Sequence, residues 1–285
     1  MTRPRALTWR AESPWARFLH LHGLGAHAGW CAPLAERLAA AGVEVVAPNL
    51  FNPGRDGTRA ADRKDELPSP DEFVSLATDA LARFERPDLP LFLGGTSLGG
   101  CLAVELAARW ARAAPASRFE FAGLRLFAPA FRATYLPIGT IAAMLVRLVL
   151  GGGGVYGTPI HRGIEVVHDR KLLARLEQDP DAVPSFSARS HLRAQQLITM
   201  AWMRLLPSGG QRSRAARGSL APILCFQGDD DVVVSSSTNR MLFHGRPGRE
   251  YAVVRGGRHD LPWEPDTDGM SDRVVAWMKR QVHLD

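Results

Sequence analysis

The chain has 285 residues, 46% hydrophobic and 22% charged, which are the proportions of a globular protein with a sizeable core and exclude a disordered or fibrous chain. The formal net charge is +6, but lysine occurs only at Lys64, Lys171 and Lys279, and the arginines are spread among Asp and Glu. Charge scattered in this way belongs to a solvated surface and not to a phosphate track, so no nucleic-acid partner is expected.

The N-terminal stretch 1–17 carries charges but no apolar run of signal-peptide length. Cys31, Cys101 and Cys225 are odd in number and far apart. Neither disulfides nor a zinc site is expected, and the expected location is cytoplasmic. A strand is expected at 16–21, an amphipathic helix at 29–41 and a short β-branched strand at 43–47. Residues 49–70 are rich in Pro, Gly and Asp and read as loop. Helical spacing then puts Phe73, Leu76, Ala77, Ala80, Leu81 and Phe84 on one face of a helix over 70–85. A buried strand at 91–95, an alanine-rich helix at 98–112 and a strand at 119–128 follow.

From 131 to 217 the signals are helical, and no sheet strand is expected there. Residues 136–155 are apolar but interrupted by Arg147 and ended by Gly151–Gly154, so they give a short helix over 138–150 and not a transmembrane span. The exposed run Arg212, Arg214 and Arg217 reads as loop. Strand and helix alternate again at 222–227, 236–243, 250–255 and 267–282. Continuous apolar strands alternating with helices define an α/β fold, a mostly parallel central sheet flanked by helices. The core domain is expected to comprise 1–130 and 218–285, with 131–217 as a helical insertion.

Chemistry concentrates at four places. Gly95-Thr96-Ser97-Leu98-Gly99 joins a buried strand to a helix and fits the GxSxG nucleophile elbow, with Ser97 on a sharp, strained turn and glycine where side chains would collide. A serine hydroxyl needs a base at neutral pH. Gly228-Asp229-Asp230-Asp231 comes after the 222–227 strand and offers Asp231 as orienting acid, with Asp230 the alternative; Asp229 and Asp230 suit a turn. His259 comes after the next strand as general base. His22-Gly23-Leu24-Gly25 comes after the first strand, so the amides of Leu24 and Leu98 are the two candidate oxyanion donors, with His22 holding the loop by hydrogen bonds. The loop His22–Gly25 does not continue as GxGxxG, and GxxxxGK[ST] is absent, so the GxG of this loop is not a phosphate cradle.

These four motifs in this order resemble the α/β-hydrolase superfamily, and within it the monoacylglycerol lipase and bacterial carboxylesterase branch. The resemblance implies a serine hydrolase without cofactor or metal, acting on a small hydrophobic ester, with a helical cap inserted after the sixth strand. His168-Asp169 with Asp179-Pro180 is similar to lysophospholipase-like caps. The chain departs from the branch at Asn49 and in the shifted Gly54 and Gly57, and its short N-terminal part leaves room for fewer than the usual eight strands. A dehalogenase or epoxide hydrolase is not expected, because resemblance to those branches would require an aspartate where Ser97 stands. A thioesterase, C–C hydrolase, perhydrolase or hydrolase-fold receptor remains open on the same residues. The apolar insertion suggests an acyl pocket, with Met144, Leu145, Met200 and Trp202 as its candidate lining. Arg189, Arg193, Arg204, Arg212 and Arg214 suggest peripheral contact of this insertion with anionic lipid.

Overall fold

The computed structural model describes residues 6–50, 66–113, 121–134, 138–149, 154–206, 221–264 and 269–284. Seven strands form one sheet: β1 (Ala6–Trp9), β2 (Ala16–Leu21), β3 (Val43–Pro48), β4 (Leu91–Thr96), β5 (Phe121–Phe127), β8 (Ile223–Gly228) and β9 (Arg249–Val254). Their spatial order is β1-β3-β2-β4-β5-β8-β9. All neighbours run parallel except β1, which pairs antiparallel with β3.

The central strands are buried along their whole length because helices cover both faces. Alternate residues feed two cores. Leu19, Leu21, Val46, Leu93, Leu126 and Cys225 pack toward helices α2 (Pro70–Leu81) and α3 (Leu98–Ala113). Phe18, Val45, Phe92, Phe127 and Phe226 pack toward α1 (Ala32–Ala40) and the C-terminal helix Met270–Gln281. Local chemistry starts these helices. Pro70 opens α2 behind a Ser69–Glu72 capping box, in which each side chain accepts from the other's backbone N–H.

Between β5 and β8 lie α4 (Ile138–Val149), α5 (Arg170–Glu177) and α6 (Ala188–Leu205). This segment also holds a two-stranded antiparallel ribbon, β6 (Val155–Gly157) with β7 (Ser185–Ser187), separate from the main sheet. Counted along the described strands, the segment comes after the fifth strand and not the sixth, because the sheet has seven strands among the described residues where the resemblance implies eight. Arg204 of α6 holds the buried Glu105 of α3 through two hydrogen bonds of 3.0 and 3.1 Å, which fixes α6 against the sheet domain. Helices α7 (Ser236–Phe243) and α8 (Met270–Gln281) complete the chain. No described helix is long and apolar enough to cross a membrane. The Arg212, Arg214 and Arg217 run, Gly54, Gly57 and the end of the expected insertion at 217 lie outside the described residues.

Candidate active site

Ser97 is the single residue between β4 and α3. Its φ of +55° is a left-handed conformation that only a well-braced turn sustains. The bracing is visible. The Ser97 N–H donates to Phe127 O at 2.9 Å, and its carbonyl accepts from the Gly100 and Ala130 amides at 3.0 and 3.1 Å. A Cβ at Gly95 would overlap Leu21 O, and one at Gly99 would overlap the carbonyls of Leu21 and His22. Both glycines are therefore set by how closely the turn rests on the end of β2.

Parallel strands bring the ends of β2, β4, β8 and β9 to one edge of the sheet. There the His259 imidazole lies 2.9 Å, Nδ1 to Oδ2, from Asp231, whose side chain is fully buried. Asp231 also accepts from Gln227 Nε2 at 2.8 Å and from the Val233 and Val234 amides at 2.8 and 3.1 Å. Burial works to raise the pKa of this carboxyl, but His259 and the amide donors hold it below the ordinary carboxylate value. Burial works to lower the His259 pKa, and the Asp231 carboxylate raises it above the ordinary imidazole value. Asp230 instead has a side chain 61% exposed, 3.8 Å from His168 Nε2. The sequence does not single out Gln227; its one signal there is an amide at the end of an otherwise apolar strand.

The loop after β2 closes over Ser97. A Cβ at Gly23 would sit 3.2 Å from Ser97 Cβ. His22 donates from Nδ1 to Gly23 O (3.0 Å) and accepts at Nε2 from the Leu50 amide (2.9 Å), so both ring nitrogens brace the loop. Burial lowers its pKa to about 3 and keeps the ring neutral. Asn49 contributes here as well, its Oδ1 accepting from the Ala28 amide at 2.8 Å. Leu24 and Leu98 both line the space in front of Ser97. Neither amide has a hydrogen-bond acceptor among the described residues. Leu98 opens α3, so its N–H is one that a helix leaves free.

Ser97 and His259, 8% and 7% exposed, share a cavity of about 170 Å³. Its lining is mainly apolar and comes from both the sheet edge and the segment between β5 and β8. Met144, Ile160, Val166, Leu192 and Ile198 supply the latter part. Of the expected acyl-pocket residues, Met144 is in the lining; Met200 and Trp202 are not, and the Leu145 side chain lies outside the described residues. Trp202 packs edge-on against Phe131 at 6.2 Å between centroids. Asp260, beside His259, also lines the cavity, and burial raises its carboxyl to about 7. Among the described residues one group has metal-ligand atoms close together, His27, Asp179 and Asp181, all within 4.8 Å. His27 Nε2 and Trp30 Nε1 both donate to Asp179 Oδ2, so that oxygen is already engaged.

A mostly parallel sheet with a strained serine elbow, a buried Asp–His pair and two open amides at one edge defines a protein of α/β-hydrolase architecture. The sequence matches the family described as serine aminopeptidase, S33 (Hydrolase_4) over residues 12–266, and the chain belongs to that family. It is 26% identical over 262 residues to a monoacylglycerol lipase of Mycolicibacterium smegmatis, covering 90% of this chain and 85% of the relative. The fold is that of the monoacylglycerol lipase of Paleococcus ferrophilus (TM-score 0.71, 20% identity, 97% of this chain and 98% of that one). It is equally that of a soluble variant of monoglyceride lipase from Saccharomyces cerevisiae, solved with a substrate analogue (TM-score 0.71, 16% identity, 97% and 91%). A thermostable carboxyl esterase from Bacillus coagulans, solved with glycerol, is also similar (TM-score 0.69, 17% identity, 97% and 94%).

Proposed function

We propose that this chain cleaves carboxylic esters with a hydrophobic acyl group, monoglyceride-like esters among them, through an acyl-enzyme on Ser97. Kinship to a monoacylglycerol lipase supports ester hydrolysis; the residues, the mechanism and the acyl preference are the proposal. One observation carries it: His259, hydrogen-bonded to the buried Asp231, faces the same apolar cavity as the strained Ser97.

In this reading Asp231 keeps the Nδ1–H tautomer of His259, which leaves Nε2 free to take the Ser97 proton. Ser97 Oγ attacks the ester carbonyl, and the amides of Leu24 and Leu98 stabilise the oxyanion. The carbon–oxygen bond to the alcohol breaks as His259 returns the proton to the leaving oxygen. Water, deprotonated by His259, then attacks the acyl-enzyme carbonyl; the bond from the acyl carbon to Ser97 Oγ breaks, His259 returns the proton to that oxygen, and the acid leaves. Residues 131–217 act as a cap, with Met144, Ile160 and Ile198 around the acyl chain.

The test is a series of p-nitrophenyl esters from acetate to laurate. Each buried CH₂ contributes about 0.8 kcal/mol, so kcat/KM should rise by up to about fourfold per methylene until the cavity is full. Ser97→Ala should be inactive throughout. A flat chain-length profile would sink the acyl pocket, and undiminished turnover by Ser97→Ala would sink the mechanism.

A further inference from the structure

His168-Asp169 and Asp179-Pro180 bracket α5 and have no part in the triad chemistry. Asp169 caps that helix, its Oδ1 accepting from the Lys171 and Leu172 amides at 2.8 and 3.2 Å. With the helix seated, His168 stands at one end and Asp179 at the other. Each end crosses to a loop that carries a group of the active site.

At the first end, Glu264, its side chain only 4% exposed, accepts from the His168 backbone N–H at 3.1 Å. Both its oxygens lie 3.1 Å from His168 Nδ1. His168 Nε2 points to Asp230 at 3.8 Å. His168 thus ties this segment to the loop bearing His259 and stands beside the loop bearing Asp231. The neighbouring residues reinforce this contact. The Asp260 N–H donates to Val166 O at 2.9 Å, and Arg258 donates to Val167 O at 3.2 Å and pairs with Glu165.

At the second end, Asp179 Oδ2 accepts from His27 Nε2 (2.8 Å) and Trp30 Nε1 (2.9 Å), and the Val183 N–H donates to Gly25 O at 2.8 Å. These contacts grip the loop that carries the Leu24 amide. Gly25 has φ +81°, and a Cβ there would sit 2.8 Å from both Val183 O and Thr158 Cγ2. The backbone at Gly25 therefore passes too close to Val183 of this segment, and to Thr158 before it, to admit a side chain.

We propose that residues 165–183 form a strap that holds the general base and the oxyanion amide in register about Ser97, with His168 and Asp179 as its positioning residues. The proposal rests on the catalytic roles proposed for Ser97, His259 and Leu24. The physical need is clear from the sheet order. β2 and β9 are four strand spacings apart, roughly 19 Å, so the sheet fixes their ends but not the loops beyond them. A single segment touching both loops sets their separation. A misplacement of about 1 Å in such a site lowers turnover by about 100-fold. Neither His168 nor Asp179 lines the cavity, so their removal acts on the chemical step and not on substrate binding.

The experiment uses the full chain and p-nitrophenyl butyrate, comparing wild type with Ser97→Ala, His168→Ala, His168→Asn and Asp179→Ala, with melting temperatures alongside. The strap predicts that each alanine variant at positions 168 and 179 lowers kcat tenfold or more with KM within twofold of wild type. It also predicts that His168→Asn, whose amide N–H stands where Nδ1–H stood, returns kcat to within threefold of wild type. Unchanged kcat in both alanine variants, a KM that rises in step with the loss, or an asparagine no better than alanine would overturn it. Should an alanine variant not fold, Glu264→Gln provides the same test: lower kcat at constant KM supports the strap and unchanged kcat overturns it. An active Ser97→Ala overturns the site and the strap together. An inactive Ser97→Ala beside fully active alanine variants at 168 and 179 overturns the strap alone.

Discussion

Asp231→Asn replaces a carboxylate by an amide of the same size, and the surrounding hydrogen bonds dictate how that amide must sit. Oδ1 is fixed by the Val233 and Val234 amides at 2.8 and 3.1 Å, so the asparagine oxygen takes that position. The new NH₂ then falls where Oδ2 stood, facing Gln227 Nε2 at 2.8 Å and His259 Nδ1 at 2.9 Å. Gln227 resists turning over, because its Oε1 accepts from Asn239 Nδ2 at 2.7 Å. His259 must therefore accept at Nδ1 and carry its proton on Nε2, where it could not receive one from Ser97 as the proposed mechanism requires. Such a change of tautomer costs about 10⁴-fold in kcat in a serine triad, or about 5.5 kcal/mol of barrier. Asp230→Asn, at an exposed side chain, should leave kcat within about threefold. Initial rates on p-nitrophenyl butyrate, with circular dichroism to confirm folding, decide the matter. An Asp231→Asn variant within tenfold of wild type, or a larger loss from Asp230→Asn, would refute the reasoning.

Two pH effects accompany it. The proposed base, His259, must be neutral to take a proton, and Asp231 holds its pKa above the ordinary 6.5 despite burial, so the acid limb of kcat/KM should have its midpoint above that value; a midpoint at or below it would contradict the pairing. The same shift contributes stability that is full below the unfolded imidazole value and is lost as pH rises through the folded one. Asp260 behaves in the opposite sense to a paired carboxylate. Burial holds it at about 7 instead of 3.8, so the folded state loses up to about 4 kcal/mol of stability as pH climbs between those values, at 1.36 kcal/mol per pH unit. Asp260→Asn should therefore melt higher than wild type by a margin that grows from pH 5 to 7 and then levels, as read by differential scanning fluorimetry; a margin independent of pH would be inconsistent with an ionising Asp260.

The features legible in the sequence are those decided locally. The elbow is five residues of steric constraint, and the buried parallel strands are continuous apolar runs, so both are written in neighbouring positions. β1 is not legible, because four residues carry no periodicity and its support is a partner strand some forty residues away. The β6–β7 ribbon is hidden for the same reason, with three residues in each strand. The composition of α6 points to Met200 and Trp202 but does not say which face is turned inward. His191, Gln195 and Ile198, spaced i, i+4 and i+7, form the face that lines the cavity. Scattered arginines read as surface, yet Arg125 is fully buried on β5 with its guanidinium 4.0 Å from the Phe18 ring centroid, and burial lowers its pKa to about 9. The strap contacts of His168 and Asp179 join residues 96 and 152 positions from their partners, a separation that leaves no local trace.

Covalent labelling tests most directly whether Ser97 is the activated nucleophile. Wild-type chain treated with a fluorophosphonate and digested for mass spectrometry should carry one phosphonyl group, on Ser97, with ester turnover lost in proportion to labelling and no label in Ser97→Ala. Modification of another residue, or turnover that survives complete labelling of Ser97, would contradict it.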